Sequence, residues 1–174
     1  MNTLEAIAKR VSVRKYKSEQ ISEEALEKII KAGCAAPMAM ARYDSLHITV
    51  VQNEDVMKQI MDATAVFVTK AFGEGKSMDF GEKTLIIVSS TPAIVAGMEY
   101  ANVGCVLENM LLAATDLGIA NIIWGACAIA VDQNEELKKM LGIPEGFKPL
   151  LCASFGYAEK EEPAKTHNIA VTRV

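Results

Sequence analysis

Two arginines and a serine near the N-terminus are side chains whose types and spacing indicate ligand chemistry. Arg10, Ser12 and Arg14 alternate with Val11 and Val13. If the preceding helix continues, the two guanidinium groups lie four residues apart on one face. Arginine binds planar anions through parallel charge-assisted hydrogen bonds, and serine adds a donor. The segment predicts a phosphate site, but a solvated basic helix end, favoured by the helix dipole, explains the same residues equally well.

Positive charge is concentrated in this segment. Between residues 9 and 17 five side chains are basic and none is acidic, whereas the whole chain has 18 basic and 22 acidic side chains and a net charge of −4. Outside this segment 13 basic side chains face 22 acidic ones, a net charge of −9. This acidic balance argues against nucleic acid as a partner and leaves one small region suited to an anion.

Other chemistry is not indicated by the sequence. It has no Gly-x-Ser-x-Gly motif, and His47 and His167 have no cysteine at ligand spacing, so neither a hydrolase nor a zinc site is predicted. Four dispersed cysteines and the lack of an apolar leader predict a cytoplasmic location. The apolar stretch 110–131 is interrupted by Asp116, Gly118 and Asn121, so it does not predict a membrane span.

Helical and strand patterns alternate along the chain. Asn2, Ser22 and Asn53 are predicted helix caps, and apolar residues at i, i+3, i+4 predict a long helix over 99–117. Strands are predicted at 46–52, 84–90, 122–130 and 150–157, and Asp132 is predicted to cap a short helix through Leu141. Residues 1–174 therefore predict one α+β domain, with a polar tail over 158–174 that cannot pack alone.

The order of these motifs resembles the nitroreductase family of FMN-dependent oxidoreductases over nearly the whole chain. The resemblance is carried by Arg-x-Ser-x-Arg at 10–14, Ala36-Pro37, the strand 47–51, and the segments 102–114, 117–120, 141–146 and 155–157. It implies a three-layer α+β fold with a central, mostly antiparallel sheet flanked by helices. It also implies a homodimer with FMN at the subunit interface and the tail packed on the partner.

The resemblance assigns cofactor contacts at both ends of the chain. In the family the Arg-x-Ser-x-Arg element binds FMN, which implies that Arg10, Val11 and Ser12 lie at its phosphate and ribityl end. Arg14 would reach the pyrimidine edge and stabilise negative charge on the reduced ring. Lys165 and His167 match two basic residues that reach the phosphate, with His167 where arginine is usual.

Two further segments are matched to the flavin ring. Ile123, Trp124 and Gly125 match the stretch whose backbone approaches flavin N5, where glycine allows close approach. The resemblance places Pro37, Met38, Ala39 and Ala41 against the partner's flavin, although Met38 and Ala41 replace the serine and asparagine usual in the family. Met38 and Met40 then either pack on the ring or belong to the dimer core.

The activity implied is ping-pong hydride transfer from NADH or NADPH, through flavin N5, to a nitroaromatic, a quinone or a similar electron-poor small molecule. Because the cofactor supplies the chemistry, no catalytic acid, base or nucleophile is expected among the side chains. The altered loop after Pro37 leaves open a flavin-binding protein without appreciable turnover. A third reading is action on one dedicated metabolite, for which the connection 72–81 leaves little room for a lid.

Overall fold

A computed structural model describes residues 1–75, 78–164 and 167–174. In these residues four strands form one sheet in the order β1-β2-β4-β3: β1 Leu46–Val51, β2 Thr84–Ser90, β3 Ala120–Trp124 and β4 Lys148–Gly156. All three strand pairs are antiparallel. The central strand β2 is buried along its whole length, because both of its faces are covered. This sheet confirms the predicted α+β class.

Helices pack on both faces of the sheet. Successive residues of a strand point to opposite faces, so β2 places Ile86 and Val88 in one core and Leu85 and Ile87 in the other. The first core is closed by α2 and α4, and the second by α3 and α5, which confirms the three layers. The helices are α1 Thr3–Lys9, α2 Glu23–Cys34, α3 Glu54–Phe72, α4 Met98–Asp116, α5 Ala126–Asp132 and α6 Glu135–Met140.

The predicted helix starts are confirmed by their caps. Asn2 and Glu5 form a reciprocal capping box at α1. The Ser22 hydroxyl accepts the backbone N–H of Ala25, and the Asn53 side chain accepts that of Val56 at 3.0 Å. Each cap satisfies a donor that the first turn of a helix leaves without a partner.

The predicted strand 122–130 is wrong beyond Trp124. Gly125 separates β3 from α5, which lies almost entirely in the core. An apolar run alone does not distinguish a buried strand from a short buried helix, which explains the error. The next helix, α6, is capped by Asn134, which accepts the N–H groups of Glu136 and Leu137, and not by Asp132.

The apolar stretch 110–131 is divided between α4, β3 and α5. Among the helices of the described residues, none combines the length and the apolarity that crossing a bilayer requires.

After β4 the chain continues as a tail with little internal contact. Tyr16 and Ala158 form an isolated bridge, and the N–H of Glu159 donates to the carbonyl of Lys15 at 3.1 Å. Ile169 and Val171 are almost fully exposed in the single chain. The packing of 158–174 on a partner and the single-domain boundary remain predictions.

Tyr16 fixes the basic N-terminal segment against the sheet. Its side chain is buried, its N–H donates to the carbonyl of Phe80 at 3.1 Å, and its hydroxyl donates to the carbonyl of Ser154 at 3.4 Å. The ring lies directly over Gly156, where an added Cβ would stand 2.9 Å from Cδ1. A glycine is therefore needed here for close approach.

Gly156→Ala should force the Tyr16 ring away and lower the free energy of unfolding by about 1–3 kcal/mol, the usual cost of overpacking. Gly104→Ala in α4 is the control, because an added Cβ there meets nothing within 4 Å. That variant should be more stable by about 0.5–1 kcal/mol, since alanine loses less backbone entropy in a helix. Urea denaturation followed by circular dichroism measures both. Equal midpoints for the two variants would show that the ring yields freely.

Candidate cofactor site

The basic segment is extended, so the two arginines do not lie on a continued α1. The helix ends before Arg10, whose backbone leaves the helical region. Ser12 forms a parallel bridge with Asn121 of β3, and the N–H of Val13 donates to the Asn121 carbonyl at 3.1 Å. In an extended chain alternate residues share a side, so Arg10, Ser12 and Arg14 still face the same way.

These residues line a cavity of about 190 Å³ together with a residue from the C-terminal tail. The lining residues are Arg10, Val11, Ser12, Arg14 and His167. The described part of this lining contains no carboxylate. One nitrogen of the exposed Arg14 guanidinium lies 3.5 Å from the carbonyl of Ser12, a long contact that leaves its charge available. The sequence prediction that both ends of the chain meet at one cationic site agrees with this placement for His167. Lys165 lies outside the described residues.

The guanidinium of Arg10 shows what this cavity fits. Its Nη1 is buried and has no hydrogen-bond partner in the part of the chain that the structure describes. A buried donor without an acceptor costs about 1–3 kcal/mol, and a charged one costs more. A phosphate oxygen would supply both the acceptor and the opposite charge. The burial of this nitrogen also argues against the alternative of a solvated helix end.

Trp124 and Gly125 lie where β3 ends, on the strand that holds the basic segment. Trp124 is buried, whereas Ile123 and Gly125 are partly exposed. The backbone of Gly125 has φ −114°, and an added Cβ would be 3.6 Å from Leu151, an ordinary contact. The chain's own packing therefore does not require glycine at 125. A need for close approach could arise only from a ligand, and the backbone role of this segment stays a prediction.

The loop after Pro37 does not reach the Arg10 cavity within one chain. It folds into two short 3₁₀ turns, and Ala39 and Met40 line a separate cavity of about 120 Å³ with residues 92–98. The N–H of Ala39 donates to the buried Asn102 side chain at 3.1 Å. Met40 and Ala41 have φ of 57° and 52°, a left-handed conformation that costs non-glycine residues roughly 1–2 kcal/mol each.

The loop after Pro37 is largely exposed in the single chain. Met40 is 72% exposed, Pro37 and Ala41 are also exposed, and Met38 packs partly on the core beside α2 and α4. Contact of Pro37, Met38, Ala39 and Ala41 with a cofactor held by a partner remains a prediction of the resemblance.

Sequence reasoning missed a chain of buried polar side chains beside Trp124. Glu82 is 4% exposed, and its two carboxylate oxygens accept the Ser154 hydroxyl at 2.6 Å and the Phe80 N–H at 3.1 Å. The Ser154 hydroxyl in turn accepts the Trp124 indole N–H at 2.9 Å. Burial raises the pKa of Glu82, an effect that the Ser154 hydrogen bond partly offsets. Glu82 stands in a polar stretch of sequence that is typical of a surface, so no pattern indicated its burial.

The raised pKa of Glu82 has a defined effect on stability. The folded protein holds this proton at pH values where the unfolded chain has released it. The resulting stabilisation is complete below the ordinary glutamate pKa and is lost as the pH rises through the raised value. Glu82→Gln, which does not ionise, should therefore gain stability relative to the wild type as the pH rises from the ordinary glutamate pKa through the raised pKa of Glu82. Each unit of pKa difference corresponds to about 1.4 kcal/mol.

Urea denaturation at a series of pH values measures this difference. Glu54→Gln is the control, because its hydrogen bond to Lys83 lowers the pKa of Glu54. That contribution is already complete above the ordinary glutamate pKa, so its difference from wild type should be constant over the same range. A pH-independent difference for Glu82→Gln would contradict the prediction.

The fold and the site together define a class: an α+β domain with helices on both faces of an antiparallel sheet, and a cationic cavity of about 190 Å³ beside the edge strand β3. Residues 7–157 match the model of the Nitroreductase family. The chain belongs to this family, which confirms the resemblance inferred from the sequence.

Relatives and solved structures agree over nearly the full length. A protein of Archaeoglobus fulgidus named "Putative NADH dehydrogenase/NAD(P)H nitroreductase" is 30% identical over 91% of this chain and 87% of its own length. The structure of a nitroreductase with bound FMN from Desulfitobacterium hafniense matches with a TM-score of 0.89 and 29% identity, covering 99% of this chain and 100% of its own. A nitroreductase with bound FMN from Bacteroides fragilis matches with a TM-score of 0.83 and 30% identity, with the same coverage.

Proposed function

We propose that this protein is an FMN-dependent NAD(P)H oxidoreductase that transfers hydride to nitroaromatics, quinones or similar electron-poor acceptors in a ping-pong cycle. The observation that carries this proposal is the buried Arg10 nitrogen without an acceptor, in a cationic cavity of a nitroreductase-family chain. Relatives of 29% and 30% identity whose structures contain FMN support the choice of cofactor.

The residues of the cavity would divide the cofactor between them. Arg10 and Ser12 offer donors to the phosphate, and His167 adds an imidazole from the opposite end of the chain. Arg14 keeps its guanidinium exposed, so its charge is free to stabilise negative charge on a reduced ring. When bound, FMN supplies the hydride-accepting chemistry, and the protein contributes binding, orientation and electrostatics.

A homodimer is part of the proposal. Leu4 and Ile7 on α1 are 77% and 51% exposed, and Ile169 and Val171 of the tail are exposed as well. These exposed apolar side chains of α1 and of the tail offer surface that a second copy can cover. The family resemblance places the strained loop at 38–41 against the cofactor of such a second copy, where Met38 and Ala41 would change acceptor choice. All four cysteines are free thiols, which favours a reducing compartment such as the cytoplasm.

Arg10→Ala should lose most of its FMN during purification. The missing charge-assisted hydrogen bond is worth about 1.5–3 kcal/mol, or roughly a 10- to 150-fold weaker affinity. Lys15→Ala is the matched control, because Lys15 belongs to the same basic segment but does not line the cavity. Titration of apo-protein with FMN, followed by flavin fluorescence, gives both dissociation constants. An unchanged affinity in Arg10→Ala would refute the phosphate assignment.

A second candidate is a flavin-binding protein without appreciable turnover, and it is favoured by the apolar residues Met38 and Ala41 at positions where the family usually has serine and asparagine. A measurement of enzymatic turnover distinguishes the two candidates. Steady-state oxidation of NADH and of NADPH with a quinone or a nitroaromatic acceptor should proceed at a rate proportional to bound FMN. Parallel lines in double-reciprocal plots are expected for a ping-pong cycle. Full FMN occupancy with no consumption of either nicotinamide would support the second candidate.

A further inference from the structure

The buried carboxyl of Glu82 is connected to the segment of Trp124 and Gly125, which the family resemblance matches to the cofactor ring. We propose that Glu82 is a positioning residue for this segment. Through the hydroxyl of Ser154 it holds the indole of Trp124, and with it the peptide group that joins Trp124 to Gly125. This inference rests on the proposed function for the identity of the cofactor, and on the geometry alone for the connection itself.

The hydrogen bonds allow only one direction of donation. An indole N–H can only donate, and a serine hydroxyl has a single proton. Since the Ser154 oxygen accepts from Trp124 at 2.9 Å, its own proton is directed to Glu82 at 2.6 Å. The second carboxylate oxygen is occupied by the Phe80 N–H. An ionised carboxylate accepts the Ser154 hydroxyl on one oxygen and the Phe80 N–H on the other, while Ser154 accepts the indole N–H. A proton on either oxygen would compete with the donor at that oxygen.

The peptide after Trp124 is held from several sides. Its carbonyl accepts the Cys152 thiol at 3.1 Å, and the indole ring meets Phe80 edge to face with ring centroids 5.5 Å apart. Ser154 supplies the polar contact of the indole. Loss of that contact would leave the ring held by packing alone, and Gly125 follows directly in the chain.

Other titratable groups surround Glu82 without pairing with it. In the described residues no lysine or arginine forms an ion pair with its carboxyl. Burial raises the pKa of Tyr16 and of Cys152, so both are neutral around pH 7. The cavity that Glu82 lines also contains Asp79 and two ion pairs, Lys58 with Asp62 at 2.6 Å and Lys83 with Glu54 at 2.7 Å.

The test follows the NMR resonance of the Trp124 indole N–H as the pH is changed. Trp124 is the single tryptophan of the chain, so its N–H gives one identifiable NMR resonance. In wild type this resonance and the Gly125 amide should shift together with pH, along one curve with a midpoint above the ordinary glutamate range. Glu82→Gln, which keeps an acceptor but does not ionise, should abolish that dependence. Glu54→Gln removes the same charge from an exposed position on the same cavity, and should leave the curve as it is in wild type.

Ser154→Ala removes the hydroxyl that connects Glu82 to the indole of Trp124. It tests the same connection if Glu82→Gln does not fold. The indole resonance should move away from its wild-type position and lose its dependence on pH. Curves in Glu82→Gln and Ser154→Ala that match wild type would overturn the proposal, whatever the cofactor.

A second experiment measures the reduction potential of FMN bound to the protein. Glu82→Gln and Ser154→Ala should shift the reduction potential of bound FMN, while Glu54→Gln should not. Wild-type potentials in both variants would overturn the positioning role. If the protein takes up no FMN, the proposed function fails, and the indole and Gly125 resonances of the apo-protein still decide whether Glu82 positions the segment.

Discussion

A buried guanidinium nitrogen without an acceptor in the described residues is the constraint around which the site is arranged. The Arg10 nitrogen is unpartnered in the described chain, and the segment that carries it is nevertheless fixed to the sheet. Asn121 provides much of this rigidity. Its carbonyl accepts Val13, and its amide donates to the carbonyls of Leu111 and Ile119 and to the Thr115 hydroxyl. The end of α4, the start of β3 and the basic segment therefore form one unit, so the cationic cavity is preorganised before any anion arrives.

Much of the fold could be predicted because its signals are local. Asn2, Ser22 and Asn53 each mark a helix start by a side-chain acceptor three residues ahead of the donor that it satisfies. The stretch after Trp124 could not be predicted in the same way. Ala126–Asp132 is apolar on nearly every side, because it lies between the sheet and other helices, and burial on all sides removes the periodicity by which helix and strand are distinguished.

The site divides along similar lines. Arg10, Ser12 and Arg14 could be predicted as a site because they lie in a basic segment of an acidic chain. Arg10 and Arg14, four residues apart, share a side in the extended segment as they would on a helix. Glu82 and Asn102 were not visible. The importance of each depends on a hydrogen-bond partner that is distant in sequence: Ser154 for Glu82, and Ala39 for Asn102. Without the fold, a single polar residue among others carries no such signal.

Some residues of the site are evident from the sequence and others only from the fold, because the cofactor supplies the chemistry. An enzyme that relies on its own nucleophile needs reactive side chains at a fixed spacing, which a sequence displays. A flavoprotein needs an anchor for the phosphate and a rigid backbone at the ring, and only the anchor consists of conspicuous residues. The remaining requirements fall on packing and on buried hydrogen bonds, such as those that hold Trp124. The left-handed Met40 and Ala41 illustrate the same point, because in the described residues their loop is held by local backbone hydrogen bonds, such as that from the Ala41 N–H to the Met38 carbonyl at 3.1 Å, and by the Asn102 contact. Such strain persists when surroundings over-determine the backbone, and for this exposed loop the second copy in the proposed dimer would supply those surroundings.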